Sequence, residues 1–322
     1  MYKSQAWGRA VEGRSTVALV TGEPGIGKTR LVAEVAEEVV SGGGIVVAGR
    51  CDEHVRVPNR PFIDALRHQL EITPPDAARE RLGPLAGELR RLVPEVAGVV
   101  DPANETTRAD PATEPVHLLD AVAGWLAATA TQAPTMLVID DLHWATTATL
   151  PTIRHVVERT AGSRLLLVLT YRETEIDRSH PLAAMVSDLH RLSEVERIGL
   201  DGLDPTEVEE FLERAADAEL DESGRALAAA LHNQTAGNPL FIGEVLRHLI
   251  ETGKIVREAG RWTSDLDVDE IGIPDGIRGV IGQRLSALSS NTESVLSTAA
   301  IVGHEFPVES LRALMGATID QV

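Results

Sequence analysis

Residues 1–200 alternate short apolar runs with longer amphipathic segments. The runs are β-branched or leucine-rich and apolar on both faces: Val17–Thr21, Ile45–Gly49, Thr135–Asp140 and Leu165–Thr170, with Arg197–Leu200 as a candidate fifth. Such runs are typical of parallel strands that helices cover on both sides. Between them, Thr29–Val40 and Thr113–Gln132 carry apolar residues at helical spacing. We therefore predict an α/β fold with a parallel sheet sandwiched by helices and built from βαβ units.

The pattern changes after Leu200, where strand-like runs give way to helical ones. Three helices are predicted over Asp204–Ala216, Arg225–Thr235 and Pro239–Thr252, then a hairpin over Ile255–Thr263 and further helices from Pro274 and over Asn291–Val302. The stretch Asp101–Pro115, rich in proline, threonine and acidic residues, is predicted to be an exposed loop. We divide the chain into residues 1–200, 201–253 and 254–322.

Composition and charge restrict the function classes. A length of 322 residues suggests about two domains at roughly 150 residues each, and 43% hydrophobic with 25% charged residues argues against disorder. The net charge of −19 disfavours a broad surface for nucleic acid or membranes, both of which are anionic. A single cysteine, Cys51, excludes an internal disulfide. Because no secretory signal or membrane-length apolar run is evident, we expect a cytoplasmic location.

The segment after the first predicted strand carries the strongest chemical signal. Its residues Gly22, Glu23, Pro24, Gly25, Ile26, Gly27, Lys28 and Thr29 match G-x-x-x-x-G-K-[ST]. Glycines allow backbone N–H groups to surround phosphate oxygens, Lys28 reaches the β- and γ-phosphates, and the Thr29 hydroxyl joins a Mg²⁺ shell. A strand before the motif and a helix after it fit this role. We predict that the loop, together with Arg30, binds ATP or ADP with Mg²⁺.

A second signal lies at the end of the third predicted strand. Asp140 and Asp141 end a buried run, at the carboxyl edge of the sheet where ligands bind in such folds. We predict that Asp140 holds Mg²⁺ through water and that Asp141 orients or activates the attacking water. An ordinary strand followed by an acidic turn is the alternative. Arg172 follows the next strand and is either a sensor of the γ-phosphate or a solvated loop arginine.

Three other residues near these motifs have plainer interpretations. His143 and Trp144 are expected to form a partly buried packing pair, and Cys51 to be a small buried residue. The ten histidines have no zinc-binding spacing, so no zinc site is predicted.

Four segments occur in a characteristic order: GEPGIGKTRLV, LVIDDLHWA, LTYRETEIDRSHPL and TAGNPLFIGEVLRHL. With them, nearly the whole chain resembles the AAA-type ATPase module of the STAND class (signal-transduction ATPases with numerous domains). Within this class, the chain resembles the modules of large LuxR-type bacterial transcriptional regulators and modules fused to cyclases or kinases. The resemblance implies that Asp140 and Asp141 form the Walker B pair, that Arg172 is the sensor after the fourth strand, and that Pro239 lies against the nucleotide.

The resemblance also implies a helical lid over 201–253 and an incomplete winged-helix-like domain over 254–322. Two features depart from the family pattern. Members usually carry a Val-Gly-Arg-Glu stretch before the first strand, which helps to hold adenine, and this sequence has MYKSQAWGRA there. Thr146 follows LHWA where relatives often have an acid, although threonine can still cap the next helix.

These observations favour an ATP-binding, slowly hydrolysing switch module, and the resemblance implies that it belongs to a bacterial regulator of the LuxR type. The resemblance further implies ATP-dependent self-association. Because the net charge is −19 and no helix-turn-helix is identified, we expect no direct DNA binding and no membrane binding by this segment. One alternative is a P-loop kinase of a small metabolite, for which the lid and tail have no obvious use. The other is a binding-only scaffold, which intact Lys28, Thr29 and Asp140 disfavour.

Overall fold

The structure of the chain is a computed structural model that describes residues 2–82, 85–99, 114–176, 180–258 and 261–264, together with 292, 295–297 and 299. The chain divides into two units, Met1–Gly202 and Leu203–Val322. Within the described ranges, no helix combines the length and the apolar character needed to cross a membrane.

A parallel sheet lies at the centre of the first unit. Its strands are β1 Thr16–Gly22, β2 Ile45–Arg50, β3 Thr135–Asp140, β4 Leu165–Tyr171 and β5 Glu194–Leu200, in the spatial order β2-β3-β4-β1-β5. Every neighbouring pair is parallel. The five predicted strands are confirmed, although β5 begins at Glu194 rather than Arg197. The register places Arg50 beside Asp140 at the carboxyl edge.

Eight helices belong to the described part of this unit: α1 Tyr2–Val11, α2 Lys28–Ser41, α3 Arg60–Ile72, α4 Pro75–Leu82, α5 Ala86–Leu89, α6 Glu114–Gln132, α7 Thr149–Arg159 and α8 Pro181–Leu192. Short 3₁₀ turns cover Pro94–Gly98, Leu142–Trp144 and Glu173–Glu175. Helices α2 and α6 confirm the two that were predicted here. Of the predicted loop Asp101–Pro115, residues 101–113 lie outside the described residues, and its last two residues open α6.

Both faces of the central strands β1, β3 and β4 are buried, which explains why these strands are mostly apolar. Alternate residues of β3 and β4, such as Leu137 and Leu167, pack into one core with Trp125 of α6. The intervening residues, such as Met136 and Leu166, pack into a second core beside α1 and α2. Because a strand's side chains alternate between faces, two covered faces require an unbroken apolar run.

The second unit contains three helices and a strand pair. They are α9 Pro205–Ala216, α10 Glu222–Thr235, α11 Pro239–Glu251, β6 Ile255–Glu258 and β7 Arg261–Ser264. Asp204, Asp221 and Asn238 cap the helices with their side chains. This confirms the three predicted helices, with α10 beginning at Glu222 rather than Arg225. The antiparallel pairing of β6 and β7 confirms the predicted hairpin.

The remaining predictions for this unit fall mostly outside the described residues. The turn of the β6–β7 hairpin at 259–260 and the helix predicted from Pro274 lie outside the described residues. Of the helix predicted over Asn291–Val302, only the residues at 292, 295–297 and 299 are described, and these are helical. The winged-helix-like domain and the lid role of residues 201–253 stay predictions.

Candidate functional site

The loop between β1 and α2 has an unusual backbone. Gly22, Gly25 and Gly27 have φ values of 147°, 79° and 107°, a region that strains L-amino acids. At Gly22, an added Cβ would lie 2.6 Å from the Leu200 carbonyl oxygen and 2.9 Å from Cγ2 of Ile26. At Gly27, no atom of the described residues would lie within 4 Å of an added Cβ. The loop therefore packs tightly against β5 at its start and borders open space at its end.

Lys28 begins α2, and its side chain folds back over this loop. Its Nζ donates hydrogen bonds to the carbonyl oxygens of Gly22 at 2.8 Å and Glu23 at 2.9 Å. Burial lowers the pKa of Lys28, and the nearby Arg172 charge lowers it further, while surrounding carboxylates act in the opposite direction. The ammonium group is thus held at the loop by neutral carbonyls, which phosphate oxygens could replace as partners.

Thr29 and Asp140 bring two oxygen donors together although they lie far apart in the sequence. The Thr29 hydroxyl donates to Oδ2 of Asp140 at 3.3 Å. Oδ1 of Asp140 accepts a bond from the Thr170 hydroxyl at 2.5 Å. Hydroxyl and carboxylate oxygens are ligands that Mg²⁺ prefers, so this donor set fits a magnesium ion. No group of three or more His, Cys, Asp or Glu side chains suited to a metal occurs among the described residues.

Asp141 has a different environment from Asp140. It adopts a left-handed conformation with φ of 54°, and its N–H donates to the Thr170 hydroxyl at 3.0 Å. Its Oδ2 accepts two hydrogen bonds from Arg50, from Nε at 3.0 Å and Nη2 at 2.7 Å. These bonds raise the pKa of Arg50. One carboxylate oxygen is therefore fixed by a guanidinium group from the neighbouring strand.

Arg50 is a site residue that the sequence analysis missed. A signal was present, because Arg50 directly follows the predicted strand Ile45–Gly49, much as Arg172 follows the predicted strand Leu165–Thr170. The pairing with Asp141 depends on the β2–β3 register, which the local pattern does not contain.

Arg172 is held by two partners rather than being freely solvated. Its Nη1 contacts Oε1 of Glu175 at 2.5 Å. Its guanidinium carbon lies 4.9 Å from the centroid of the Trp144 ring, a distance at which a cation is attracted to an aromatic face. Arg172 directly follows β4, so it lies at the same edge of the sheet, and its charge lowers the pKa of Lys28.

His143 is more deeply buried than predicted, with only 1% of its side chain exposed. It packs against Trp144 with ring centroids 4.6 Å apart, which confirms the packing pair. Neither ring nitrogen forms a hydrogen bond within the described residues. Nε2 lies 3.4 Å from Oε2 of Glu175 and 3.9 Å from Oδ1 of Asp141. Packing alone therefore does not account for this histidine.

The sequence analysis singled out three other residues, Arg30, Pro239 and Cys51. Arg30 is exposed and pairs with Glu34 at 3.3 Å along α2. Pro239 is the first residue of α11 in the second unit. Cys51 is 3% exposed, as expected for a small buried residue, and burial raises the pKa of its thiol to about 12.

The family model described as AAA ATPase domain matches residues 4–169. The chain belongs to the AAA ATPase domain family. The sequence has no match among curated proteins.

Solved structures show the fold. The Walker-type ATPase of Pyrococcus abyssi has a TM-score of 0.50 and 13% identity, with 98% of this chain and 87% of that chain covered. A STAND protein with a tetratricopeptide repeat sensor from Pyrococcus horikoshii has a TM-score of 0.42 and 14% identity. That match covers 96% of this chain and 36% of the Pyrococcus horikoshii chain, so our chain spans about a third of that protein. At these identities, the likeness concerns the fold alone.

Proposed function

We propose that this chain is an ATP-binding and slowly hydrolysing switch module of the STAND type. One observation carries the proposal: the Thr29 hydroxyl meets the Asp140 carboxylate at 3.3 Å beside the loop that Lys28 closes. Membership of the AAA ATPase domain family supports it. A cationic group, two magnesium-type ligands and a glycine loop at one sheet edge suit a nucleoside triphosphate better than an uncharged ligand.

The loop and α2 would bind the phosphates. The backbone of Gly22–Gly27 would provide N–H donors, and Lys28 would exchange its two carbonyl partners for β- and γ-phosphate oxygens. Thr29 and Asp140 would hold Mg²⁺, which supplies positive charge to the phosphates. The open space at Gly27 is consistent with this arrangement, since a phosphate group needs room at the N-terminus of α2.

Asp141 and its partners would act on the attacking water. With Oδ2 held by Arg50, the remaining oxygen Oδ1 is the atom of Asp141 that could orient a water toward the γ-phosphorus. Attack forms a bond from the water oxygen to the γ-phosphorus and breaks the bond from that phosphorus to the bridging oxygen, which stays with ADP. The proton that the water loses would pass through Oδ1 of Asp141 to the released phosphate. Arg172 would leave Glu175 for the γ-phosphate. We propose no arginine finger within this chain, which is in keeping with slow turnover.

The finer parts of the proposal rest on the sequence resemblance. They are a LuxR-type regulator as the parent protein, a lid over 201–253 whose Pro239 touches the nucleotide, and ATP-dependent self-association. The proposed cytoplasmic location rests on the sequence pattern instead. In this proposal, contacts to the γ-phosphate bias the arrangement of the lid, so that ATP and ADP states differ in their output.

ATP affinity and ATP turnover, measured on one preparation with and without Mg²⁺, test the proposal. We expect Mg²⁺-dependent binding with slow release of phosphate that needs no acceptor. Binding without turnover would favour the scaffold, and ADP release that requires an added small acceptor would favour the kinase. Absence of ATP binding would refute all three.

A further inference from the structure

Five charged or titratable side chains form a continuous row at the carboxyl edge of the sheet. In order along the row they are Arg50, Asp141, His143, Glu175 and Arg172. Each carboxylate has one oxygen on an arginine: Oδ2 of Asp141 on Arg50 at 2.7 Å, and Oε1 of Glu175 on Arg172 at 2.5 Å. The other oxygen of each carboxylate faces His143.

His143 occupies the middle of this row with a single nitrogen directed at both acids. Its Nε2 lies 3.4 Å from Oε2 of Glu175 and 3.9 Å from Oδ1 of Asp141. A neutral imidazole has one N–H, which can bond to only one of the two carboxylates at a time. With 1% exposure, the side chain has little access to bulk water as an alternative partner. Leaving a buried donor without a partner is costly, so the contact with one acid should tighten.

The electrostatic surroundings keep the imidazole neutral. Burial lowers the pKa of His143, and the charges of Arg172 and Lys28 act in the same direction. Glu175 and Asp141 oppose this, but the net direction is downward. A neutral ring with one proton is the state in which the choice between the two carboxylates matters.

We propose that His143 is a positioning residue that couples the Arg172–Glu175 pair to Asp141 through the single Nε2 hydrogen. The inference rests on the proposed function. When Arg172 moves to a γ-phosphate, Glu175 loses its cationic partner and becomes the stronger acceptor. The His143 N–H then bonds to Glu175, and Oδ1 of Asp141 is free to hold the attacking water. The row thereby links the presence of a γ-phosphate to the ability of Asp141 to hold the attacking water.

Two substitutions at this position separate positioning from packing. His143→Leu fills the buried position with an apolar side chain and removes the hydrogen-bond donor. His143→Gln retains an N–H donor on a side chain of similar reach. We expect His143→Leu to lower turnover at saturating ATP by about 10- to 100-fold, the range for misplaced reacting groups. ATP affinity should stay within about threefold, because the recorded contacts of the His143 ring are with Trp144, Glu175 and Asp141, none of which is proposed to bind the phosphates. His143→Gln should recover most of the lost turnover.

Glu175→Gln provides a second route that does not depend on a core substitution. Its side chain is 37% exposed, so the variant should fold. We expect reduced turnover, and we expect the double variant with His143→Leu to be no slower than the slower single variant, since the two act through one contact. His155→Leu is the matched control, because His155 pairs with Asp120 at 2.8 Å outside the row. Its turnover should match that of the unmodified chain.

The outcomes distinguish a failure of this inference from a failure of the proposed function. If the unmodified chain does not bind and hydrolyse ATP, the proposed function and the inference both fail. If it does, and folded His143→Leu keeps normal turnover, only the inference fails. The inference would also be overturned if His143→Gln did not restore turnover and the effects of His143→Leu and Glu175→Gln were additive. His143 would then be a packing residue.

Discussion

Replacing glycine by alanine at the two ends of the phosphate loop should affect mainly stability at Gly22 and mainly ATP binding at Gly27. At Gly22, where φ is 147°, a Cβ would lie 2.6 Å from the backbone oxygen of Leu200. Strain in the backbone costs about 1–3 kcal/mol, and overpacking against a rigid neighbour costs about 1–3 kcal/mol more. We expect Gly22→Ala to lose about 4 kcal/mol of stability, which is a fall of about 8–16 °C in Tm for a unit of this size.

Gly27→Ala is the matched comparison. Its φ of 107° carries a similar strain, but no atom of the described residues would lie within 4 Å of the new methyl group. We expect a loss of only about 1–3 kcal/mol in stability, with a large loss of ATP affinity because the methyl group enters the space proposed for phosphate.

Thermal unfolding followed by tryptophan fluorescence measures the first effect, since Trp125 is fully buried in the first unit. Titration calorimetry with ATP measures the second. Equal Tm values for Gly22→Ala and the unmodified chain would refute the packing of this loop against β5. Unchanged ATP affinity in Gly27→Ala would refute the assignment of the open space to phosphate.

Three further predictions concern single side chains. Asp141→Asn should leave ATP affinity within about threefold and slow phosphate release by about 100-fold or more, and equal release would show that Asp141 does not position the water. Cys51, with its raised pKa and burial, should react with a thiol reagent at about pH 8 only as the protein unfolds; fast labelling of the folded chain would contradict its burial. The pKa of His143 is lowered in the folded chain. As the pH falls below about 6.5, His143 is therefore protonated in the unfolded chain before it is protonated in the folded chain, and the free energy of unfolding decreases. Urea unfolding should therefore show less loss of stability toward acid pH in His143→Gln than in the unmodified chain, and parallel pH profiles would contradict the lowered pKa.

Strands buried on both faces could be predicted from the sequence because covering both faces of a strand requires a short unbroken apolar run. The edge strand β5 was only partly predicted, since one of its faces carries Glu194 and Glu196, which pair with Arg9 of α1. Helix α1 was missed for a similar reason. Among the α1 residues whose burial is described, from Gln5 to Val11, the fully buried ones are the small Ala6 and Ala10, which give little apolar periodicity.

In the candidate site, the residues of a contiguous motif could likewise be predicted from the sequence, whereas those brought in by long-range packing could not. Lys28 and Thr29 belong to a contiguous motif whose chemistry depends on spacing alone. Arg50 and Glu175 enter the site through strand register and a short 3₁₀ turn, which a sequence pattern does not encode. The environment of His143 depends on burial between two acids that are 34 positions apart (175 − 141 = 34).

The binding of Mg²⁺–ATP to Lys28→Ala tests the central claim most directly. Lys28 holds its ammonium group on the loop carbonyls at 2.8 and 2.9 Å, where we propose that it meets the β- and γ-phosphates. Arg67→Ala is the control, since Arg67 pairs with Glu95 away from the loop. Calorimetry should give a loss of about 100-fold or more in ATP affinity for Lys28→Ala and no change for Arg67→Ala. Equal ATP affinity in Lys28→Ala and the unmodified chain would contradict the account.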